Sequence, residues 1–194
     1  MLAYVLTIGR LVLAAIFAAL VAILAPDGHL STAVGAGLIA LAIVAELTDI
    51  FDGWAARRFG TASRLGGILD PLVDSLSRSA IYFAMALAGW ITLAVPFVMI
   101  TRDIIVAYTR IANASEGAAT SARFSGKFKA IIQGGGIPVV IALAMATVID
   151  AIGGQAIETL RIIAACILIL VTLWSMIDYI VGAWTAVRKM MSAE

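Results

Sequence analysis

The chain has 194 residues, 63% of them apolar and 13% charged, with a net charge of +1 and a mean hydropathy of +1.09. A soluble domain usually carries about a quarter charged residues, so this composition excludes a conventional water-facing surface and implies one integral membrane domain over residues 1–194. The near-zero net charge excludes a global field that would gather nucleic acid, and the single cysteine, Cys166, excludes a disulfide framework within one chain.

A helix needs about 20 residues to cross the hydrocarbon core. The first predicted span covers about residues 7–25 and ends at the turn signal Pro26-Asp27-Gly28; its start carries no clear cleavage site and reads as part of a retained span. The second covers about 30–53. The uncharged run Ser79–Thr101 then admits two topologies. As a single span it would set Arg57, Arg58 and Arg64 on one side of the membrane and Arg110, Arg123, Lys127 and Lys129 on the other, against the positive-inside rule. As a hairpin turning at Gly89-Trp90 it keeps all of these on one side with Arg10, Arg188 and Lys189. The hairpin gives spans of about 68–89 and 91–111, followed by about 130–149 and 162–187. The expected fold is an all-α integral membrane protein of six transmembrane helices, with both termini in the cytoplasm. His29 is expected to be a solvated loop residue, Trp54, Trp90 and Trp184 interfacial anchors, and Trp174 buried packing.

Helices three and four of this hairpin must carry Asp70–Arg78 and Arg102–Arg110 into the inner leaflet or its surface, and Asp49 lies roughly 28 Å along helix two from Leu30. An ionised Asp in a bilayer is costly, so the aspartates Asp49, Asp52, Asp70 and Asp74 need an explanation. Asp49 and Asp52 are spaced i, i+3 and Asp70 and Asp74 i, i+4, so each pair shares a helix face. A short connection makes the two helices antiparallel neighbours and lets the pairs converge. Oxygen donors without His or Cys suit hard cations, Mg²⁺ or Mn²⁺, and this many carboxylates suit two ions, an arrangement used in phosphoryl displacement. The blander alternatives are that Asp52 ends a helix and Asp70, ahead of Pro71, caps one, or that the acids merely pair with Arg57, Arg58 and Arg64. Gly53, Ala56 and Gly66 permit close approach of a ligand or of a helix, and Arg57 beside the acids is a natural phosphate ligand.

Written as Asp49-x2-Asp52-Gly53-x2-Ala56-Arg57-x8-Gly66-x3-Asp70-x3-Asp74, the stretch resembles the signature of the CDP-alcohol phosphotransferase family (CDP-alcohol phosphatidyltransferases) at every fixed position, and LTIGRLVLA from Leu6 to Ala14 is similar to that family's usual opening. The resemblance implies a six-helix enzyme of phospholipid biosynthesis in the cell's inner (plasma) membrane, its active site facing the cytoplasm, that moves a phosphatidyl group from CDP-diacylglycerol to a small alcohol and releases CMP. It implies that Asp49, Asp52, Asp70 and Asp74 hold two divalent cations, that Asp74 is also the general base, and that Gly53, Ala56, Arg57, Ser63 and Gly66 bind the CDP-lipid. Dimers are frequent in that family; the periodicity of this chain does not establish one.

On the hairpin topology Arg110, Arg123 and Lys127 sit beside the acids, which points to an acceptor carrying its own phosphate; the plainer reading of some of these cations, Lys129 above all, is an anchor on lipid headgroups. The pattern Arg102-Asp103 … Arg110 … Ser125-Gly126-Lys127-x-Lys129-Ala130-x2-Gln133 most resembles phosphatidylglycerophosphate synthases, implying glycerol 3-phosphate. Those enzymes usually have Lys directly after the last aspartate, where this chain has Ser75; inositol phosphate is the nearest rival acceptor and serine a third. A cation transporter is the rival from another class, although its acids would more often lie near the midplane.

Overall fold

The computed structural model describes residues 2–58, 64–115 and 123–192. Its described residues form six helices and no strand: α1 Leu2–Leu24, α2 Thr32–Arg58, α3 Arg64–Leu87, α4 Ala94–Ser115, α5 Phe124–Val148 and α6 Gly154–Ser192. The predicted hairpin is present, with residues 88–93 separating α3 from α4. Gly89, at φ 75°, closes α3: its N–H bonds the Ala86 carbonyl at 3.0 Å and the Trp90 N–H bonds the Met85 carbonyl at 2.9 Å, a left-handed cap that satisfies carbonyls the helix leaves open.

The helices outrun several of the apolar windows. α2 continues to Arg58 rather than stopping near 53, α3 begins at Arg64 rather than 68, α5 begins at Phe124 rather than 130, and α6 spans Gly154–Ser192 rather than 162–187. Hydropathy marks only the lipid-facing part of a helix, whereas backbone hydrogen bonding continues into charged turns. The longer helices remove the capping alternative, because Asp52 lies inside α2 and Asp70 inside α3.

The packing contacts close a ring, α2–α1–α3–α4–α6–α5 and back to α2, with α3 also touching α5 across it. Its core includes Phe17, Leu38, Tyr82, Met85, Met99 and Ile141, all almost fully buried. The exterior is apolar as well: Leu87, Ile23 and Val181 are 79%, 71% and 67% exposed, an inversion of the pattern of a water-soluble domain. Among the described residues, Phe124–Val148 and Gly154–Trp184 are long and apolar enough to cross a membrane, while Ile8–Leu24 and Thr32–Thr48 are apolar but shorter. α3 and α4 carry Asp70, Asp74 and Arg78, and Arg102, Asp103 and Arg110, within their length.

Two tryptophan expectations need correcting. Trp90 is buried, its indole N–H donating to the Gly28 carbonyl at 2.8 Å, because the α1–α2 turn lies directly over the α3–α4 turn. Trp174 is 46% exposed on α6, edge-on to Phe128 at 6.0 Å, because its helix turn faces away from the ring's interior. Trp184 is exposed and the Trp54 side chain lies outside the described residues. His29 is exposed, as anticipated.

The two turns form a clasp. Gly28 sits at φ 75°, and a Cβ there would meet the Ala88 carbonyl oxygen at 2.6 Å. Gly28→Ala should therefore destabilise the bundle by about 2–3 kcal/mol through strain and that clash, and Trp90→Phe by about 1–2 kcal/mol through the stranded carbonyl. Thermal unfolding in detergent reads both; wild-type midpoints for the two variants would show that the turns are independent.

Candidate functional site

Near the middle of their lengths, α2 and α3 are joined by a shared guanidinium. Arg78 of α3, 5% exposed, forks onto Asp74 one turn earlier (Nη2 to Oδ1 2.9 Å, Nη1 to Oδ2 3.2 Å). Its Nη2 also donates to Glu46 of α2 at 3.1 Å. Among the described residues α2 and α3 make no close backbone packing; each rests on α1 and α5 instead. The expected packing of α2 beside α3 is therefore not found among the described residues; the helices meet through the Arg78–Glu46 side chains, because α1 and α5 occupy the packing positions on each.

That bridge sets their register. Asp49 and Asp52 follow Glu46 toward the end of α2, and Asp70 precedes Asp74 toward the start of α3. Residues 59–63 join those two ends, so by backbone placement all of these aspartates lie at the bridge or on its connection side. Asp70 is exposed and Asp74 half-buried. Pro71 sits inside α3 and withdraws the N–H that would bond the carbonyl four residues back. A cleft of about 30 Å³ lies at the bridge, lined by Arg10, Glu46, Asp74, Ser77, Arg78 and Ile137 among others. It has room for about one water molecule.

The next residue, Ser75, leads away from the acids. It lies beside Asp103 of α4, whose side chain is 9% exposed. Asp103 accepts from Arg102 Nη1 at 2.8 Å and from Lys129 Nζ of α5 at 3.1 Å. Burial of two cations with one carboxylate is tolerable because each charge is both paired and hydrogen-bonded. Arg102 Nη2 continues to Ser175 Oγ of α6 at 2.7 Å, and its guanidinium carbon lies 5.1 Å from the centre of the Tyr179 ring. Tyr179 accepts from Arg110 Nη2 at 3.1 Å. Arg123, just ahead of α5, forks onto Asp178 of α6 at 2.8 and 2.9 Å, and that hydrogen-bonded carboxylate holds the guanidinium above its already high ordinary pKa. A chain of polar contacts therefore runs from Asp103 on α4 through Lys129 on α5 and Arg102 to Ser175 and Tyr179 on α6, with Ser75 of α3 beside its start.

Of the predicted site residues, Arg110 and Arg123 meet at Tyr179, whose hydroxyl also accepts the Arg123 backbone N–H at 3.2 Å. Lys127 is exposed and has no ion pair among the described residues. Lys129 is buried on Asp103 rather than turned toward headgroups, which removes the lipid-anchor reading for it. Ser63 lies outside the described residues, as do the side chains of Asp49, Asp52, Ala56 and Arg57; Gly53 and Gly66 fall within α2 and α3. Among the described residues no three acidic, His or Cys side chains gather as a metal site, a search that does not reach Asp49 and Asp52. Sequence reasoning missed Glu46, Asp178 and Tyr179. Asp178 had a signal, as the single acid in the apolar run from Ile162 to Val187, where an intramembrane ionisable residue is a functional candidate by default.

Sequence similarity to known proteins identifies the family. A sequence model of the CDP-alcohol phosphatidyltransferase family matches residues 1–191. The chain is 33% identical over 134 residues to a probable phosphatidylglycerophosphate synthase of Mycobacterium tuberculosis (strain ATCC 25618 / H37Rv), which covers 68% of this chain and 61% of that protein. It is 33% identical over 155 residues to a CDP-diacylglycerol--glycerol-3-phosphate 3-phosphatidyltransferase of Sodalis glossinidius, covering 73% and 75%. It is 37% identical over 94 residues to an archaetidylinositol phosphate synthase of Pyrococcus horikoshii, covering 48% and 49%. The matched stretch spans less than two thirds of the Mycobacterium protein's length. With the family's sequence pattern matched across nearly the whole chain, from the opening helix through the aspartates to α6, this protein belongs to the CDP-alcohol phosphatidyltransferase family.

Proposed function

We propose that this protein transfers the phosphatidyl group of CDP-diacylglycerol to glycerol 3-phosphate and releases CMP. The observation that carries the reading is the placement of Asp74, held by Arg78, one residue before Ser75, which lies beside Asp103, with Asp103 leading through Arg102 to Tyr179 and the cations Arg110 and Arg123. It joins an acidic end suited to a metal-bound diphosphate to a basic end suited to an acceptor phosphate. The phosphatidylglycerophosphate synthase and glycerol-3-phosphate phosphatidyltransferase names carried by the relatives support the same acceptor.

The six helices are read as six membrane spans, with the termini, the aspartates and the cations on the cytoplasmic side of an inner membrane. The apolar exterior and the placement of charge toward one end of α2–α5 support this. A lipid donor keeps its tails in the bilayer while its cytidine stays in water, so a reaction centre at the membrane face serves both halves.

Asp49, Asp52, Asp70 and Asp74 would hold two divalent cations, Mg²⁺ or Mn²⁺. Their carboxylate donors suit hard ions, and the register set by Arg78 gathers their backbone positions toward one end. Such cations supply charge neutralisation on the diphosphate and on the leaving CMP. Arg57, Gly53, Ala56, Ser63 and Gly66, near the same connection, would take the nucleotide and its phosphates. Asp74 accepts the proton of the acceptor hydroxyl. The acceptor oxygen then bonds the lipid-side phosphorus, and the bond from that phosphorus to the bridging oxygen breaks, its electron pair leaving with CMP. Arg78, gripping one edge of Asp74, fixes the carboxylate while that happens. Arg110, Arg123 and Lys127 would bind the acceptor's phosphate.

Inositol phosphate is a second acceptor, supported by the identity with an archaetidylinositol phosphate synthase and by Ser75 in the position where glycerol 3-phosphate enzymes usually have Lys. The cation-transporter reading has no comparable support: the acids lie toward one end of the bundle and the chain belongs to a transferase family.

Purified protein supplied with CDP-diacylglycerol, Mg²⁺ or Mn²⁺, and in turn glycerol 3-phosphate, inositol phosphate and serine should release CMP fastest with glycerol 3-phosphate; release that ignores the acceptor would overturn the proposal. Chelation of divalent cations should stop CMP release and their return should restore it. Asp74→Asn should lower kcat by about a thousandfold, the scale of general-base catalysis, with the helical content retained although the unfolding midpoint falls, because buried Arg78 keeps Glu46 but loses one of its carboxylates. Arg110→Ala should raise KM for the phosphorylated acceptor roughly ten- to a hundredfold, the loss of a charge-assisted hydrogen bond, and leave the donor's KM unaltered. An unchanged acceptor KM would remove Arg110 from the pocket.

A further inference from the structure

Two of the predicted phosphate-binding cations, Arg110 and Arg123, lie on α4 and just ahead of α5, yet the groups that hold them belong to α6. Ser175, Asp178, Tyr179 and Gly182 fall on one stripe of that helix at i, i+3, i+4 and i+7. Tyr179, 6% exposed, takes the Arg110 guanidinium and the Arg123 backbone N–H on its hydroxyl. Its ring is approached by Arg102 and Arg110, whose guanidinium carbons lie 5.1 and 5.4 Å from the centroid. Asp178 takes the Arg123 side chain through Nε and Nη2. Gly182, one turn further, leaves the space that guanidinium fills, since a Cβ there would collide with it.

An anchor for the α4–α5 connection alone would need only the Asp178–Arg123 pair. Tyr179 does more, because it ties an arginine of α4 to the start of α5 and sets the distance between them. A carboxylate fork engages only part of a guanidinium's donor set, so Arg123 retains donors for an incoming anion. Long cationic side chains lose rotamer freedom on gripping a ligand, and locking them beforehand removes that cost from binding.

We infer that Tyr179 and Asp178 are positioning residues that hold Arg110 and Arg123 in one fixed geometry for the acceptor's phosphate, with Gly182 as the notch that seats Arg123. The inference rests on the reading above that the acceptor carries a phosphate, and it assigns α6 a share in acceptor selectivity.

The test uses the full chain in mixed micelles of CDP-diacylglycerol, varying each substrate separately. Tyr179→Phe keeps the ring and removes only the hydroxyl; it should raise KM for glycerol 3-phosphate roughly five- to tenfold, less than the direct loss of a charged hydrogen bond because the hydroxyl acts through Arg110 rather than on the phosphate. Its kcat and its KM for CDP-diacylglycerol should stay at wild-type values. Asp178→Asn should show the same split, and Asp178→Glu, which restores a carboxylate, should recover part of the loss. An unchanged acceptor KM, or an equal loss toward both substrates, would overturn the inference; should Tyr179→Phe not fold, Asp178→Asn decides by the same criterion. If the wild type uses inositol phosphate in place of glycerol 3-phosphate, the acceptor named above fails while the same split on inositol phosphate supports the clasp and its absence overturns it. A wild type that uses only serine overturns both.

Discussion

One guanidinium shared by carboxylates of two helices sets the geometry of this protein's acidic end. Arg78 is buried, and it reaches Asp74 on its own helix and Glu46 on another. In an apolar bundle a buried arginine without its carboxylates is costly, and so are carboxylates without the arginine. The pairing therefore holds only where both acids come within reach. It fixes how far α3 slides against α2 although α1 and α5 supply the direct packing of each. With that register fixed, the remaining aspartates of both helices are carried toward the same connection, and a structural ion bridge determines where acidic chemistry can occur.

The second network has the opposite balance. Around Asp103 and Asp178, cations outnumber acids: Arg102 and Lys129 share the former, while Arg123 holds the latter with Arg110 close by on Tyr179. Ser75, immediately after the proposed base, lies beside Asp103 and so brings the basic region next to the acidic one. Acid and cation regions thus adjoin without neutralising each other, because each is internally paired by residues placed inside the bundle. That separation is what a transfer between a metal-bound donor and an anionic acceptor requires, since the two substrates carry like charge.

Much of the scaffold was legible in the residues. The distribution of Arg and Lys around Ser79–Thr101 favoured a hairpin over a single span, and the turn falls at Gly89. The helix ends were less legible, because hydropathy fades where charge begins although helical hydrogen bonding does not. The aspartates could be paired by spacing, but spacing is local and gives no hint that Glu46, already visible as an acid near the end of α2, is the partner of Arg78. Lys129 looked like a headgroup anchor for the same reason: its partner Asp103 is 26 residues away. Tyr179 left no mark at all, as one aromatic residue among many in an apolar helix. Trp90 and Trp174 changed places because one turn packs over another at Trp90 and because burial at Trp174 follows which face of α6 turns inward, neither of which local composition announces.

Anomalous diffraction from crystals of the protein grown with Mn²⁺ tests the central claim most directly. The account predicts manganese peaks at about 2.0–2.3 Å from carboxylate oxygens contributed by both α2 and α3, on the connection side of the Glu46–Arg78–Asp74 bridge. Manganese bound through one helix alone, or at a point remote from that bridge, would contradict it.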